Sequence, residues 1–578
     1  MDDHDDPRPQ AISRRAFLKG AAAAPLAMYL ASCTSGGGHP RTPVPGTTGA
    51  GIEFPTATPP AQLPPEAEAI LKATPGPVLE RVYQGFLPGM SGDVVTVPLG
   101  YNYFDGGISH STPWPYTQHV PMVWYGPGIV PKRGRIEREV TSADQAPTLA
   151  ALTGFTDFQA PDGTAMEEVI APGAPKPKLI VTLVWDAGGM YVLGLWPKNW
   201  PNLHRLMSEG VSYANATVGS APSSTAPVHA TMGTGAYPRR HGILDNVQRF
   251  SDGSVKDPWA PGPVAMLLPT FADHYGAEMG DKVEVGLFAT LAWHLGMMGT
   301  STAFQGGKRQ LAVLREKGGG RGAEGVTWGL SPTQAEFYRF PDYVNDFPTV
   351  TSYWQVADAA DGILDGKWRG HDYQDLRGGF DSPARIPYQT RALLEVMKRE
   401  GFGQHEGTDL MFVNYKLIDE IGHLFTASSQ EMGDCVKAQD AALPGFIQFL
   451  DAHVGKGQWV LLITADHGHS AARTVSGGYN IKVEAVQRHL DSSFPSGNRK
   501  DPVVSRVRPG WSFVDVDEMQ RKDFSLEEIA SNMRGLTELE STVHPNGVSG
   551  SNAHKRVLLT SFPGTWLPGM RALAQGSS

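Results

Sequence analysis

Three stretches of this chain are built alike, and they restrict its fold more than any other feature. "KLIVTLVWDAGG" (178–189), "DLMFVNYKLIDEIGH" (409–423) and "QWVLLITADHGHS" (458–470) each pass through consecutive apolar residues and then end in acidic residues, glycine or histidine. An apolar run without polar alternation is the pattern of a strand buried on both faces, as in a parallel sheet. Between the strands lie "TRALLEVMKREG" (390–401) and "CVKAQDAALPGFIQFLDAHV" (435–454), whose apolar residues recur at helical spacing. Strands alternating with helices predict an α/β sandwich with a mostly parallel central sheet, and ligands in such folds gather beyond the carboxyl ends of the strands.

Those carboxyl ends carry Asp186, the pair Asp419 and His423, and the pair Asp466 and His467. Mixed carboxylates and imidazoles suit zinc or a similar divalent ion. Singly, each has a plainer reading, because a strand-end Asp often caps a helix and a buried His often only satisfies a carbonyl. Three such ends in one chain favour a common site. A fourth candidate is Thr225, in "SAPSSTAPVHATMGTGAYPRRHGILDN" (220–246), which stands among small residues at an expected helix start. Backbone N–H groups and the helix dipole favour an anion there, although a hydroxyl at such a place can also serve only as a cap.

Taken together, the segments resemble the alkaline phosphatase superfamily, and within it the type I phosphodiesterase/nucleotide pyrophosphatase branch and its phosphatase relatives. The family pattern is a strand-end Asp, a Thr nucleophile in T-x-P-x-H, then G-x-Y-P-x-x-H-G-I, D-x-x-G-H and A-D-H-G. Here these are Asp186, "TAPVH", "GAYPRRHGI", "DEIGH" and "ADHG", and the resemblance spans most of residues 66–480. It implies an alkaline phosphatase-like three-layer α/β/α sandwich and two divalent ions, zinc first among them. One ion would be held by Asp419, His423 and His110, the other by Asp186, Asp466, His467 and the Thr225 oxygen. Thr225 would be the nucleophile of a phosphothreonine mechanism, and Asn246 would bind a phosphoryl oxygen.

His110 enters through a displaced segment. The family's last ligand histidine lies in a C-terminal stretch that this chain lacks after Gly468. A stretch of that type occurs near the front instead, as "GISHSTPWPYTQHVPMVWYGPGI" (107–129), followed by "TSADQAPTLAALTG" (141–154). The resemblance therefore implies a circular permutation, with residues 66–160 as the moved segment. It also matches His119 to a histidine that lies near the metal site in relatives, as a ligand or behind one, while Trp114 and Tyr116 depart from the family pattern. A rival ligand, His554 in "GVSGSNAHKRV", occupies the usual C-terminal place without the flanking context.

Where monoesterase relatives carry a K-D-R motif, this chain has "GLFATLAWHLGMMG" (286–299), with no Lys or Arg. A phosphomonoester dianion gains more from such cations than a diester monoanion does, so a phosphodiesterase acting on a small-molecule or nucleotide-like substrate is expected. A phosphomonoesterase of the same superfamily is the alternative, and a non-catalytic surface-binding lipoprotein is the plain one. Residues 252–404, rich in Gly, aromatics and loops, are a possible cap insertion.

The front of the chain reads as an address. "SRRAFLKG" (13–20) precedes the apolar "AAAAPLAMYLA" (21–31), too short to span a bilayer, and resembles a twin-arginine export signal. "LASC" (30–33) resembles a lipoprotein cleavage site with Cys33 as the acylated first residue, which implies a membrane-anchored, extracytoplasmic protein. The only other cysteine is Cys435, so an acylated Cys33 leaves no intrachain disulfide. Residues 34–65, rich in Gly, Pro and Thr, read as a disordered tether, and 66–578 as the catalytic body. A net charge of -10 gives no basic excess, and specific nucleic-acid binding is not expected. The oligomeric state is left open.

Overall fold

The computed structural model describes residues 62–104, 110–259, 262–304, 307–315, 327–496, 501–542 and 553–576. The export signal, Cys33 and the tether up to residue 61 lie outside the described residues.

The core is a nine-stranded sheet. In chain order its strands are Met122–Tyr125 (β1), Gly134–Thr141 (β2), Leu179–Trp185 (β3), Val211–Thr217 (β4), Val285–Phe288 (β5), Gln310–Val313 (β6), Tyr338–Arg339 (β7), Asp409–Tyr415 (β8) and Trp459–Thr464 (β9). They lie in the order β7-β6-β5-β8-β3-β9-β1-β4-β2. Every neighbouring pair is parallel except those made by β1, which runs antiparallel to β9 and β4. The three apolar runs form the centre: every residue of β3, β8 and β9 is buried. Leu179 stands opposite both Asp409 and Trp459, so the three strands start level and deliver their polar ends to one edge.

Alternate residues of these strands build two cores. Leu183 and Trp185 of β3, Val413 of β8 and Ile463 of β9 face helices Pro201–Glu209, Arg385–Arg399 and Gln430–Leu450. Ile180 and Val184, Phe412 and Leu462 face Gln145–Thr153, Thr225–Thr234 (α1) and Phe271–Met279. Helices on both faces of one mostly parallel sheet make the expected three-layer sandwich.

The front segment is part of this body. β1 sits between β9 and β4 with Trp124 fully buried, and Val94–Pro98 joins a second, four-stranded sheet with Val504–Val507, Trp511–Val514 and Leu558–Pro563. The segment 252–404, considered as a cap, contributes β5, β6 and β7 to the central sheet and two of its covering helices. Among the described residues no helix is long and apolar enough to cross a membrane.

Candidate active site

The site grows from the level ends of β3, β8 and β9. Asp186 follows β3 and is fully buried. The next residue, Ala187, takes a left-handed backbone conformation (φ 59°) and donates its N–H to Asp466 Oδ1 at 2.9 Å, which ties the β3 and β9 ends together. Past β8, helix Leu417–Phe425 (α2) carries Asp419 and His423 four residues apart, hence on one face. Their Oδ1 and Nε2 are 3.3 Å apart.

Two groups of metal-ligating side chains converge here. Asp186, Asp466 and His467 form one, and Asp419, His423 and His469 form another, each with ligand atoms within 4.8 Å of one another. His110 joins Asp419 and His467 in a third combination that bridges the two. Its Nδ1 donates to the Ser223 carbonyl at 2.9 Å, which leaves the Nε2 lone pair directed at Asp419 Oδ1, 3.6 Å away. The His110 ring also stacks on His467 with centroids 3.7 Å apart. The front segment thus reaches the site at the expected place. His554 does not, being exposed at a turn before Leu558–Pro563.

The donors are set for cations. Asp419 Oδ1, Asp466 Oδ2 and His467 Nε2 are buried and make no hydrogen bond among the described residues. Leaving buried polar atoms unsatisfied is costly, and divalent ions held by the two groups would satisfy all three. Burial, and then neighbouring histidine, keep His110 well below its ordinary value despite Asp419, and burial lowers His467 to about 4, so both imidazoles are neutral and able to ligate at neutral pH. Burial opposes ionisation of Asp186 and Asp419, but Lys416 outweighs it and holds both carboxyls below the usual range. Burial, reinforced by Asp186, pushes Asp466 well above it. A bound cation would reverse that.

Thr225 is the first residue of α1 and is 1% exposed. Asn246 stands beside it and accepts the Ala226 N–H through Oδ1 at 3.0 Å. His241 of the "HGI" turn locks this arrangement, its two ring nitrogens lying 3.1 Å from Thr231 Oγ1 and from the Ile243 N–H.

Sequence reading missed four neighbours. Lys416 donates to Asp186 Oδ1 at 2.9 Å and Asp419 Oδ2 at 2.6 Å, and reaches Thr225 Oγ1 at 3.4 Å. Asn414 and His294 donate to Asp186 Oδ2 at 3.0 and 3.1 Å, fixing the other carboxylate oxygen. His469 Nε2 lies 3.3 Å from Asp419 Oδ1. The signals were a lysine three residues before Asp419 and a second histidine after "ADH". Although Asp186, His229 and His294 also cluster, their atoms are already paired, His229 through the Thr225 carbonyl and Asn414.

Two expectations need correction. The His119 ring is engaged away from the metal ligands, because its Nε2 donates to the Ala214 carbonyl of β4 at 2.7 Å. The absence of cations in 286–299 does not leave the site without one, because Lys416 follows β8 and reaches Asp186 and Asp419. Trp114 and Tyr116 pack on the preceding segment, through the Pro98 carbonyl and the Tyr101 N–H.

The profile of the family described as type I phosphodiesterase / nucleotide pyrophosphatase matches residues 180–567. The chain belongs to that family. Among its relatives, the phosphodiesterase-family chain is 26% identical over 364 residues to alkaline phosphatase PhoV of Synechococcus elongatus, covering 55% of this chain and 64% of that protein. It is 24% identical over 429 residues to alkaline phosphatase PafA of Elizabethkingia meningoseptica, covering 63% and 74%. The chain thus spans just under two thirds of PhoV. A crystal structure of a PafA mutant superposes with a TM-score of 0.50 at 18% identity, covering 62% of this chain and 76% of that one, and shares the alkaline phosphatase-like fold. Residues 66–160 lie outside the matched range, and they bring His110 to Asp419 and His467.

Proposed function

We propose that this chain is a metal-dependent phosphoric ester hydrolase in which Thr225 is the nucleophile. The observation that carries the reading is the convergence of Asp186, Asp466 and His467 with Asp419, His423, His469 and His110 around Thr225, with three of their donor atoms unsatisfied. When bound there, two divalent ions, zinc the first candidate, supply positive charge for the attacking and leaving oxygens of an in-line displacement. Thr225 Oγ, its proton lost to solvent, forms a bond to phosphorus as the ester P–O bond breaks, and the leaving oxygen takes a proton from water. Water then breaks the phosphothreonine bond and releases phosphate, or a phosphate monoester when the substrate is a diester. Asn246 holds its carboxamide oxygen on the Ala226 N–H, which aims its Nδ2 donors at a phosphoryl oxygen.

The reading extends to address and ancestry. Cys33 is proposed as a lipid-anchored residue after twin-arginine export, which metabolic labelling with a palmitate analogue tests: label should incorporate into the full chain and be lost in Cys33→Ala. Residues 66–160 are proposed as the family's ligand segment moved to the front, supported by His110 beside Asp419 and by the burial of β1 in the sheet. Metal analysis with matched aryl phosphomonoester, phosphodiester and sulfate ester substrates tests the function. Turnover of a phosphoester that depends on metal and on Thr225 is the expected result, and the absence of any such turnover in metal-loaded protein overturns the proposal.

A further inference from the structure

The two carboxylate groups of the site and its nucleophile share one side chain. Lys416 follows β8 at the start of α2 and is 4% exposed. Its ammonium has three donors and three acceptors: Asp186 Oδ1 from one ligand group, Asp419 Oδ2 from the other, and Thr225 Oγ1. It is a fixed positive charge in contact with the reacting oxygen.

Other nearby cations are engaged elsewhere. Arg385 donates to Glu420 and to Thr290 Oγ1, both at 2.6 Å. Lys308 donates to the Val283 carbonyl at 2.9 Å and Arg309 to the Ala335 carbonyl at 3.0 Å. Residues 286–299 bring no Lys or Arg. Three carboxylates and the deprotonated Thr225 oxygen cancel the charge of two divalent ions, so Lys416 supplies the one surplus positive charge of the site, and a phosphomonoester dianion draws on it more than a diester monoanion does. Because the ammonium is already desolvated and held by the protein, little reorganisation accompanies its contact with an oxyanion.

We propose that Lys416 is a catalytic and specificity-determining residue, whose ammonium turns the donor now 3.4 Å from Thr225 Oγ1 to the phosphoryl group transferred there and selects dianionic phosphomonoesters over diesters. Lys416 keeps its proton throughout, and bond making and breaking are those of the Thr225 displacement. This rests on the hydrolase reading above and reverses the substrate preference inferred from residues 286–299.

The test compares zinc-loaded wild type, Lys416→Met and Lys416→Arg on an aryl phosphomonoester and the matching diester, with zinc content measured and inorganic phosphate binding followed by calorimetry. Wild type is expected to prefer the monoester. Removing one charge-assisted contact lowers monoester kcat/KM by about ten- to a hundred-fold in Lys416→Met. The diester should lose far less, and phosphate affinity should weaken with the monoester rate. Lys416→Arg keeps the charge but displaces it, so it should recover part of the ratio, and it carries the test if the Met variant does not fold. A monoester-to-diester ratio and a phosphate affinity both blind to position 416 overturn the role of Lys416 while leaving the hydrolase reading standing. Failure of wild type to turn over either ester overturns the reading itself.

Discussion

Replacing His110 by Ala removes the imidazole that the front segment brings to Asp419 and His467. Structurally the substitution is modest: it removes the 2.9 Å hydrogen bond to the Ser223 carbonyl and the stack on His467. The hydrogen bond contributes on the order of 1 kcal/mol net, so the fold survives. The effect on metal is larger. Altering a group that merely orients a ligand weakens metal binding by about 10- to 100-fold, and losing a direct donor should exceed the upper end of that range. Chelator-competition titration of purified protein reads this directly. His110→Ala is expected to keep one tight zinc and lose the second at low free zinc, while His554→Ala, altering an exposed residue, keeps both. His469 makes the prediction refutable, since its Nε2 lies 3.3 Å from Asp419 Oδ1 and could hold the same ion. If His469→Ala empties the position and His110→Ala does not, His110 is not the ligand and the relocated-segment account fails.

Thr225→Ala should bind zinc nearly as wild type does yet lose most turnover, with Thr225→Ser retaining some; wild-type rates in the Ala variant would leave Thr225 as only a helix residue. Gly189→Ala would place a Cβ 2.7 Å from the Gly468 Cα and 3.0 Å from the His119 carbonyl oxygen, forcing apart the ends of β3 and β9; lower thermal stability and weaker zinc binding are expected, and a variant unchanged in both would contradict the tight approach. Deleting residues 66–160 removes β1 from inside the central sheet and Val94–Pro98 from the second one, so no cooperative thermal transition should remain; a folded, soluble remainder would make the segment a detachable module.

The centre of the fold was legible because strands buried on both faces leave continuous apolar runs, and β3, β8 and β9 lie where those runs predict. β5, β6 and β7 were not. They have four, four and two residues, too few for any period to register, and their burial comes from neighbours distant in sequence. At the site, Asp186, Thr225, Asp419, His423, Asp466 and His467 were legible because each sits at a strand or helix end within a recognisable motif. Lys416 and His294 were not, since sequence does not tell which side chains turn inward after a strand ends. Lys416 was in plain view within "VNYKLIDEIGH", but only the folded chain brings its ammonium to Asp186, 230 residues away. His119 misled for the complementary reason: its place in the motif is intact, but the backbone there turns its ring toward β4.

The central claim is that Thr225 carries the phosphoryl group during turnover. The most direct test is to mix zinc-loaded protein with an aryl phosphomonoester, quench in acid within a turnover and map the peptides by mass spectrometry. A single phosphoryl group on the peptide containing Thr225, absent from Thr225→Ala, is the predicted result. Steady turnover by wild type with Thr225 unmodified at every quench time, or a phosphoryl group on another residue, would contradict the account.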